Sequence, residues 1–284
     1  MHAWFFESWW GDFVKNVFGI EGAVGIPAYG AMMTLAFVCG AVLVLFIYKK
    51  FSLKFGQLCW LVVYMAVFGL LGSHVFSLLF RIPEIDFSSW ETIKSSALKL
   101  FSALMYYGGF LGGLLGLVVF CKKEDVGFYK TGDMILIVLP LCHAIGRVGC
   151  FLAGCCYGRH TDGPLGVEFP YGSSVGKVIP TQLFEVGFNL LLFAALLLVY
   201  ILVYKKGAET DGKRGLICGI YLTAYPVFRF IVEFFRDDTR GTILFLSVSQ
   251  FISLFLFAYG VYVLVTVSKR LRKAVPSVGV GGQV

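Results

Sequence analysis

Seven apolar stretches set the limits of what this 284-residue chain can fold into: residues 28–48, 57–80, 100–120, 134–151, 183–204, 215–235 and 246–267. At a rise of about 1.5 Å per residue, each comes close to or exceeds the ~30 Å hydrocarbon core of a bilayer. Backbone polar groups in lipid must be satisfied internally, and continuous rather than alternating apolar runs favour helices. Composition agrees, because only 14% of the residues are charged while 58% are hydrophobic, and a soluble domain carries about twice that charged share. The expected fold is an all-α integral membrane protein with seven transmembrane helices. Its net charge of +7 is read by position, and no nucleic-acid partner is expected.

Position gives an orientation. Lys49, Lys50 and Lys54 follow the first stretch, and Lys122, Lys123 and Lys130 lie between the third and fourth. Lys205, Lys206, Lys213 and Arg214 separate the fifth from the sixth, and Lys269, Arg270, Arg272 and Lys273 follow the last. These four segments hold 14 of the 24 basic residues on one face. Under the positive-inside bias that face is cytoplasmic, with the N-terminus outside and the C-terminus inside. Residues 1–24, with Trp4, Phe5, Trp9, Trp10, Phe13 and Phe18, suggest an aromatic segment in the outer interface rather than a signal peptide. Residues 25–268 form the membrane domain, with a small extracytoplasmic head over about 152–181, and 269–284 form a cytoplasmic tail.

Polar residues inside membrane segments are costly, so their depth carries information. Arg147 is 14 positions beyond Asp133, Arg229 is 15 beyond Arg214, and Tyr107 is 15 before Lys122. All three lie roughly 21–22 Å from the cytoplasmic face on straight helices. Tyr29, His74, Gln182, Glu185 and Glu233 fall nearer the outer edge. Two arginines at matched depth, each costing about 2.5–3.5 kcal/mol at a helix centre, point to an anion site. The membrane anion at hand is a phospholipid phosphate, which the planar guanidinium fork binds bidentately. The competing reading is structural: Arg229 and Glu233 at i, i+4 neutralise each other, and Arg147 snorkels outward.

Two further features are local. Gly108, Gly112 and Gly116 have GxxxG spacing, with Gly109 and Gly113 alongside. Helix packing explains Gly112, Gly113 and Gly116, whereas Gly108 and Gly109, directly after Tyr107, suit close approach of a lipid head group. Of eight cysteines, Cys150, Cys155 and Cys156 cluster at the outer end of the fourth stretch. Their C-x4-C-C spacing matches no common zinc signature, and no metal or other cofactor is expected. Inert small residues, a structural disulfide and a thiol activated beside Arg147 all remain open.

GRVGCFLAGCCYG, residues 146–158, resembles the signature R-x-G-N-F-x-N-G-E-x-x-G of bacterial prolipoprotein diacylglyceryl transferases. AYG at 28–30, YGGFLGG at 107–113, PTQLFE at 180–185, FRFIVEFFR at 228–236 and LSVSQFIS at 246–253 resemble further motifs of that family, in order. The resemblance implies transfer of the diacylglyceryl group of phosphatidylglycerol to the lipobox cysteine thiol of a preprolipoprotein signal peptide. A thioether forms and glycerol phosphate leaves, in the bacterial cytoplasmic membrane among its lipids. It implies that Arg147 and Arg229 hold the phosphate, that Glu233 orients Arg229, and that Tyr29 lines the site. Tyr107 stands as the fourth candidate catalytic residue. Gly108, Gly109, Gly149, Cys150, Gly154, Gly158, Gln182 and Glu185 complete the candidate substrate-binding set.

The departures are specific. Tyr107 replaces the family's histidine, Cys150 and Ala153 replace asparagines, and Cys155 replaces a glutamate. Tyr107 can donate a hydrogen bond but, with an unperturbed pKa of about 10, is a poor base at neutral pH. Two alternatives follow: a related phospholipid-dependent transferase with another acceptor, or a non-catalytic lipid-binding or thiol-redox membrane protein.

Overall fold

A computed structural model describes residues 4–5, 26–81, 106–169, 176–204, 211–236, 242–243 and 246–274. The aromatic residues Trp9, Trp10, Phe13 and Phe18, the expected helix start at 100–105 and the tail beyond 274 lie outside the described residues. The helices are α1 (Ala28–Ile47), α2 (Phe55–Arg81), α3 (Tyr106–Lys123), α4 (Phe128–Leu152), α5 (Thr181–Val199), α6 (Leu216–Glu233) and α7 (Val248–Ala274). Two antiparallel pairs of two-residue strands accompany them: β1 (Trp4–Phe5) with β2 (Ile26–Pro27), and β3 (Thr242–Ile243) with β4 (Leu246–Ser247).

Six of the helices, all but α3, are long and apolar enough to cross a membrane. The described part of α3 has 18 residues, five of them glycine, and ends on Lys122 and Lys123. Burial is inverted relative to a soluble protein. Phe37 and Leu191 are more than 70% exposed, while Gln182, Glu185 and Asn189 are fully buried. An apolar exterior around a polar interior suits lipid as the surrounding medium. The protein is multi-pass.

The chain divides into two compact units, Met1–Phe46 with Gly132–Val284, and Ile47–Thr131. In the second, α2 and α3 pack through glycine. A Cβ on Gly108 would collide with the carbonyl oxygen of Gly72, and one on Gly116 would stand 2.6 Å from that of Tyr64. Small residues therefore let the two backbones meet. Tyr64 and Phe120 continue the seam with ring centroids 6.2 Å apart.

In the first unit α4 and α6 are central. Cys142 of α4 donates its S–H to the Ala36 carbonyl of α1 at 3.3 Å. His143 of α4 lies against Tyr225 of α6, with ring centroids 5.4 Å apart. Phe188 of α5 stacks on Phe228 of α6 at 3.9 Å. Pro226 lacks the N–H that would bond the Leu222 carbonyl one turn earlier, and Gly260 of α7 lies so close that a Cβ there would be 2.7 Å from that oxygen.

Two helix starts are explained by side chains. Ser247 and Gln250 form a reciprocal capping box at α7: the Gln250 N–H donates to Ser247 Oγ at 3.1 Å and the Ser247 N–H to Gln250 Oε1 at 3.0 Å. The α6 N-cap, Gly215, has φ +93 and no side chain of its own. Asp133, fully buried within α4, serves it across space. Its Oδ2 accepts the Gly215 N–H and its Oδ1 the Cys218 N–H, both at 2.7 Å. Asp133 is thus not the boundary marker expected from the sequence, because α4 begins five residues earlier, at Phe128.

Candidate active site

The site grows from α4, α5 and α6. Glu185, on the second turn of α5, is 0% exposed and receives cations from three directions. Arg147 Nε of α4 lies 2.7 Å from its Oε2. Arg229 Nη1 of α6 and Arg236 Nη1, just beyond α6, each lie 3.4 Å from its Oε1. Arg229 Nη2 pairs with Glu233 at 2.6 Å, one helical turn on, and reaches Ser249 Oγ of α7 at 3.4 Å. Arg147 Nε also lies 3.3 Å from His143 Nε2. Arg147 and Arg229, placed at one depth by residue counting, converge on a single carboxylate. Arg147 does not snorkel: its side chain is 15% exposed.

The loop between α4 and α5 holds one rim of the site. Gly158 donates its N–H to Ile179 O at 2.8 Å, and Arg159 donates its N–H to Phe235 O at 2.9 Å. A β-bridge joins Gly158 to Arg236, and a Cβ on Gly158 would meet Thr181 Cγ2 at 2.8 Å. Gly154, at φ +62, begins the turn that sends the chain back over α4. Gln182 Nε2 donates to Cys155 O at 2.7 Å and Thr181 Oγ1 to Cys156 O at 3.1 Å. Gln182 thus fixes the loop. Gly149 lets α1 close on α4, since a Cβ there would stand 3.0 Å from the Met32 Cβ. Tyr29 is within electrostatic reach of Arg147 and of Cys150, Cys155 and Cys156.

The thiols Sγ150, Sγ155 and Sγ156 lie within 4.8 Å of one another. Hydrogen bonds from Cys150 and Cys155, reinforced by the positive charges of Arg147 and Arg236, hold the Cys156 thiol well below its ordinary range. Hydrogen bonds with Cys150 and Cys156, together with burial, push the Cys155 thiol up. Tyr107, Gly108 and Gly109 belong to the other compact unit, and the side chain of Tyr107 is outside the described residues.

Sequence reasoning missed Arg236, His143 and the centrality of Glu185. Arg236 closes the FRFIVEFFR run, and His143 is four residues before Arg147, a helical neighbour of it. Both were within reach of the motifs quoted above.

Apolar helices that enclose a buried cluster of arginines and carboxylates define a multi-pass membrane protein with a polar centre inside the helix bundle. The chain belongs to the prolipoprotein diacylglyceryl transferase family, whose model matches residues 15–266. It is 33% identical over 251 residues to a phosphatidylglycerol–prolipoprotein diacylglyceryl transferase of Clostridium tetani, covering 87% of this chain and 94% of the relative. A Clostridium perfringens enzyme of the same description is 30% identical over 253 residues, covering 87% and 91%. One from Chlorobaculum tepidum is 28% identical over 286 residues, covering 95% and 96%.

Proposed function

We propose that this protein transfers the diacylglyceryl group of phosphatidylglycerol to the lipobox cysteine of a preprolipoprotein. One observation carries the mechanism. Arg147 is held through Nε, which donates to His143 Nε2 at 3.3 Å and lies 2.7 Å from Glu185 Oε2, and among the described residues its two terminal Nη groups have no hydrogen-bond or ion-pair partner. A fixed guanidinium with its fork open is suited to a phosphate. The cluster has a charge surplus as well: Arg147, Arg229 and Arg236 against Glu185 and Glu233. An anion completes the balance.

In the reaction the acceptor thiol gives up its proton, which ends on the departing glycerol phosphate or in solvent, and its sulfur attacks the glyceryl carbon that carries the phosphoester oxygen. The C–S bond forms, the C–O bond breaks, and the electron pair leaves with glycerol phosphate. Arg147 and Arg229 stabilise the negative charge that grows on the departing phosphate. Glu185 and Glu233 hold the two arginines in place beforehand, so little reorganisation is needed during transfer. Tyr29 and the loop glycines Gly149, Gly154 and Gly158 shape the outer side.

The reading carries an architecture: seven spans including α3, N-terminus outside, C-terminus and basic segments cytoplasmic, and the 152–181 head facing outward from the cytoplasmic membrane. It also carries the division into an interfacial segment 1–24, a membrane domain 25–268 and a tail 269–284.

Purified protein in detergent with phosphatidylglycerol and a lipobox peptide should add a diacylglyceryl mass to the peptide cysteine, and Arg147→Ala should abolish the addition. Full transfer by Arg147→Ala would overturn the mechanism. The thiols at 150 and 155, where the family carries polar residues, favour a second reading with another acceptor. Consumption of phosphatidylglycerol with the peptide left unmodified would select it.

A further inference from the structure

Phosphate binding leaves one part of the site unexplained, the three thiols. We propose that Cys150, Cys155 and Cys156 form a binding site for one thiophilic d10 cation of the zinc and cadmium class, held as a tris-thiolate at the outer end of α4.

The distances suit it. Zinc–sulfur bonds of about 2.3 Å place the sulfurs of a tetrahedral or trigonal complex about 3.8–4.0 Å apart. The three Sγ atoms already lie within 4.8 Å of one another, so closure needs side-chain shifts of an ångström or less. The C-x4-C-C spacing resembles no zinc signature because this geometry is made by a turn rather than by a knuckle. Gly154 and Cys156 both have positive φ, +62 and +63. The Cys155 N–H donates to Cys150 O at 3.1 Å, which folds the second and third cysteines back over the first.

The ligands are also held from behind. Gln182 and Thr181, both fully buried, bond the carbonyls of Cys155 and Cys156. These contacts fix the backbone that carries the two thiols. Cys150 is buried while Cys155 and Cys156 are half-buried, which leaves an entry path from the rim. Thiolates select soft cations over magnesium or calcium.

Binding of a divalent cation is balanced without redox change. Three metal–sulfur bonds form, and every proton still carried by a sulfur passes to solvent as its S–H bond breaks. The product carries one negative charge beside Arg147 and Arg236. The proposal concerns binding alone and holds whether or not the protein performs the transfer reaction, so the failure of one is distinguishable from the failure of the other.

The test is a Cd2+ titration of the reduced, metal-free full-length protein in detergent. One equivalent should bind, with a thiolate-to-cadmium charge-transfer absorption and release of protons. Excess Zn2+ should displace it and excess Mg2+ should not. Cys155→Ser and Cys156→Ser should each lose the absorption while keeping the thermal unfolding midpoint of the parent. Cys39→Ser and Cys59→Ser should retain it. Undiminished binding in Cys155→Ser, or the absence of saturable one-to-one binding, overturns the proposal. So does a Cys150–Cys155 or Cys150–Cys156 disulfide in the untreated protein whose reduction brings no Cd2+ binding.

Discussion

Arg147 Nε stands 2.7 Å from Glu185 Oε2, an ion pair that ties the end of α4 to the start of α5 inside a protein whose exterior is apolar. Glu185 also faces Arg229, Arg236 and His143. Three guanidinium groups and one imidazole thus face one buried carboxylate. The pair is worth less as a stabiliser than as a device that fixes a guanidinium in one orientation, because desolvation offsets much of the attraction.

Glu185→Gln keeps the shape and removes the charge. Three arginines would then face one another across a neutral amide, and the loss of a partner from a buried pair costs about 3–5 kcal/mol. Thermal unfolding in detergent should show a large drop, and transfer to a lipobox peptide should vanish. Glu233→Gln touches only Arg229 among the described arginines and should be milder in both assays. The reverse order would refute the central place given to Glu185.

Arg236 is a positioning residue. It pairs with Glu185 through Nη1 and bridges to Gly158 through its backbone. Arg236→Ala should lower kcat about tenfold or more, which is about 1.4 kcal/mol of transition-state stabilisation. Arg236→Lys should recover part of it, since the charge returns without the fork. Equal loss in both variants, with an unchanged unfolding midpoint, would mean that bidentate geometry at Arg236 is itself required. Parent activity in Arg236→Ala would remove it from the site.

Asp133→Ala strips the cap from α6 and leaves the Gly215 and Cys218 N–H groups buried without their acceptors. A cost of about 1–3 kcal/mol is expected, read as a lower unfolding midpoint. Arg147 lies 14 residues along the helix from it, roughly 21 Å away, so the folded fraction should retain its specific activity. Loss of activity at unchanged stability would contradict this separation.

Gly108→Ala tests the α2–α3 seam. The new methyl would meet the Gly72 carbonyl and the Phe76 Cβ, and overpacking of this kind typically costs about 1–3 kcal/mol. The unfolding midpoint should fall, and it should fall further than in Gly109→Ala, where the nearest atom would be 3.7 Å away. Equal stability of the two variants would argue against packing as the role of Gly108.

Six of the seven expected spans were legible because hydropathy is a property of a run, insensitive to the identity of any one residue. That Arg147 and Arg229 could meet was legible because helical rise is nearly constant and counting along the two helices gives them similar heights. The hub was not. Depth gives the height of Glu185 but not the direction it faces, and only the packing of α4, α5 and α6 turns it toward the arginines. Arg236 follows the last residue of α6 by three positions, where a charge in a membrane protein reads as interfacial; the pairing of Gly158 with Arg236 draws it inward. Asp133 misled for a related reason. A carboxylate near an apolar run suggests a border, yet this one is held inside by two backbone N–H groups at the start of a helix whose N-cap lies 82 residues later.

That separation bears on biogenesis. During synthesis α4 enters the membrane carrying a carboxylate whose ligands have not yet been made, and it must wait for the fifth and sixth helices to arrive. When α6 follows, its glycine start has no cap of its own and finds one already in place. The order of translation therefore gives α4 the role of a template for the start of α6, at the end of that helix far from Arg229.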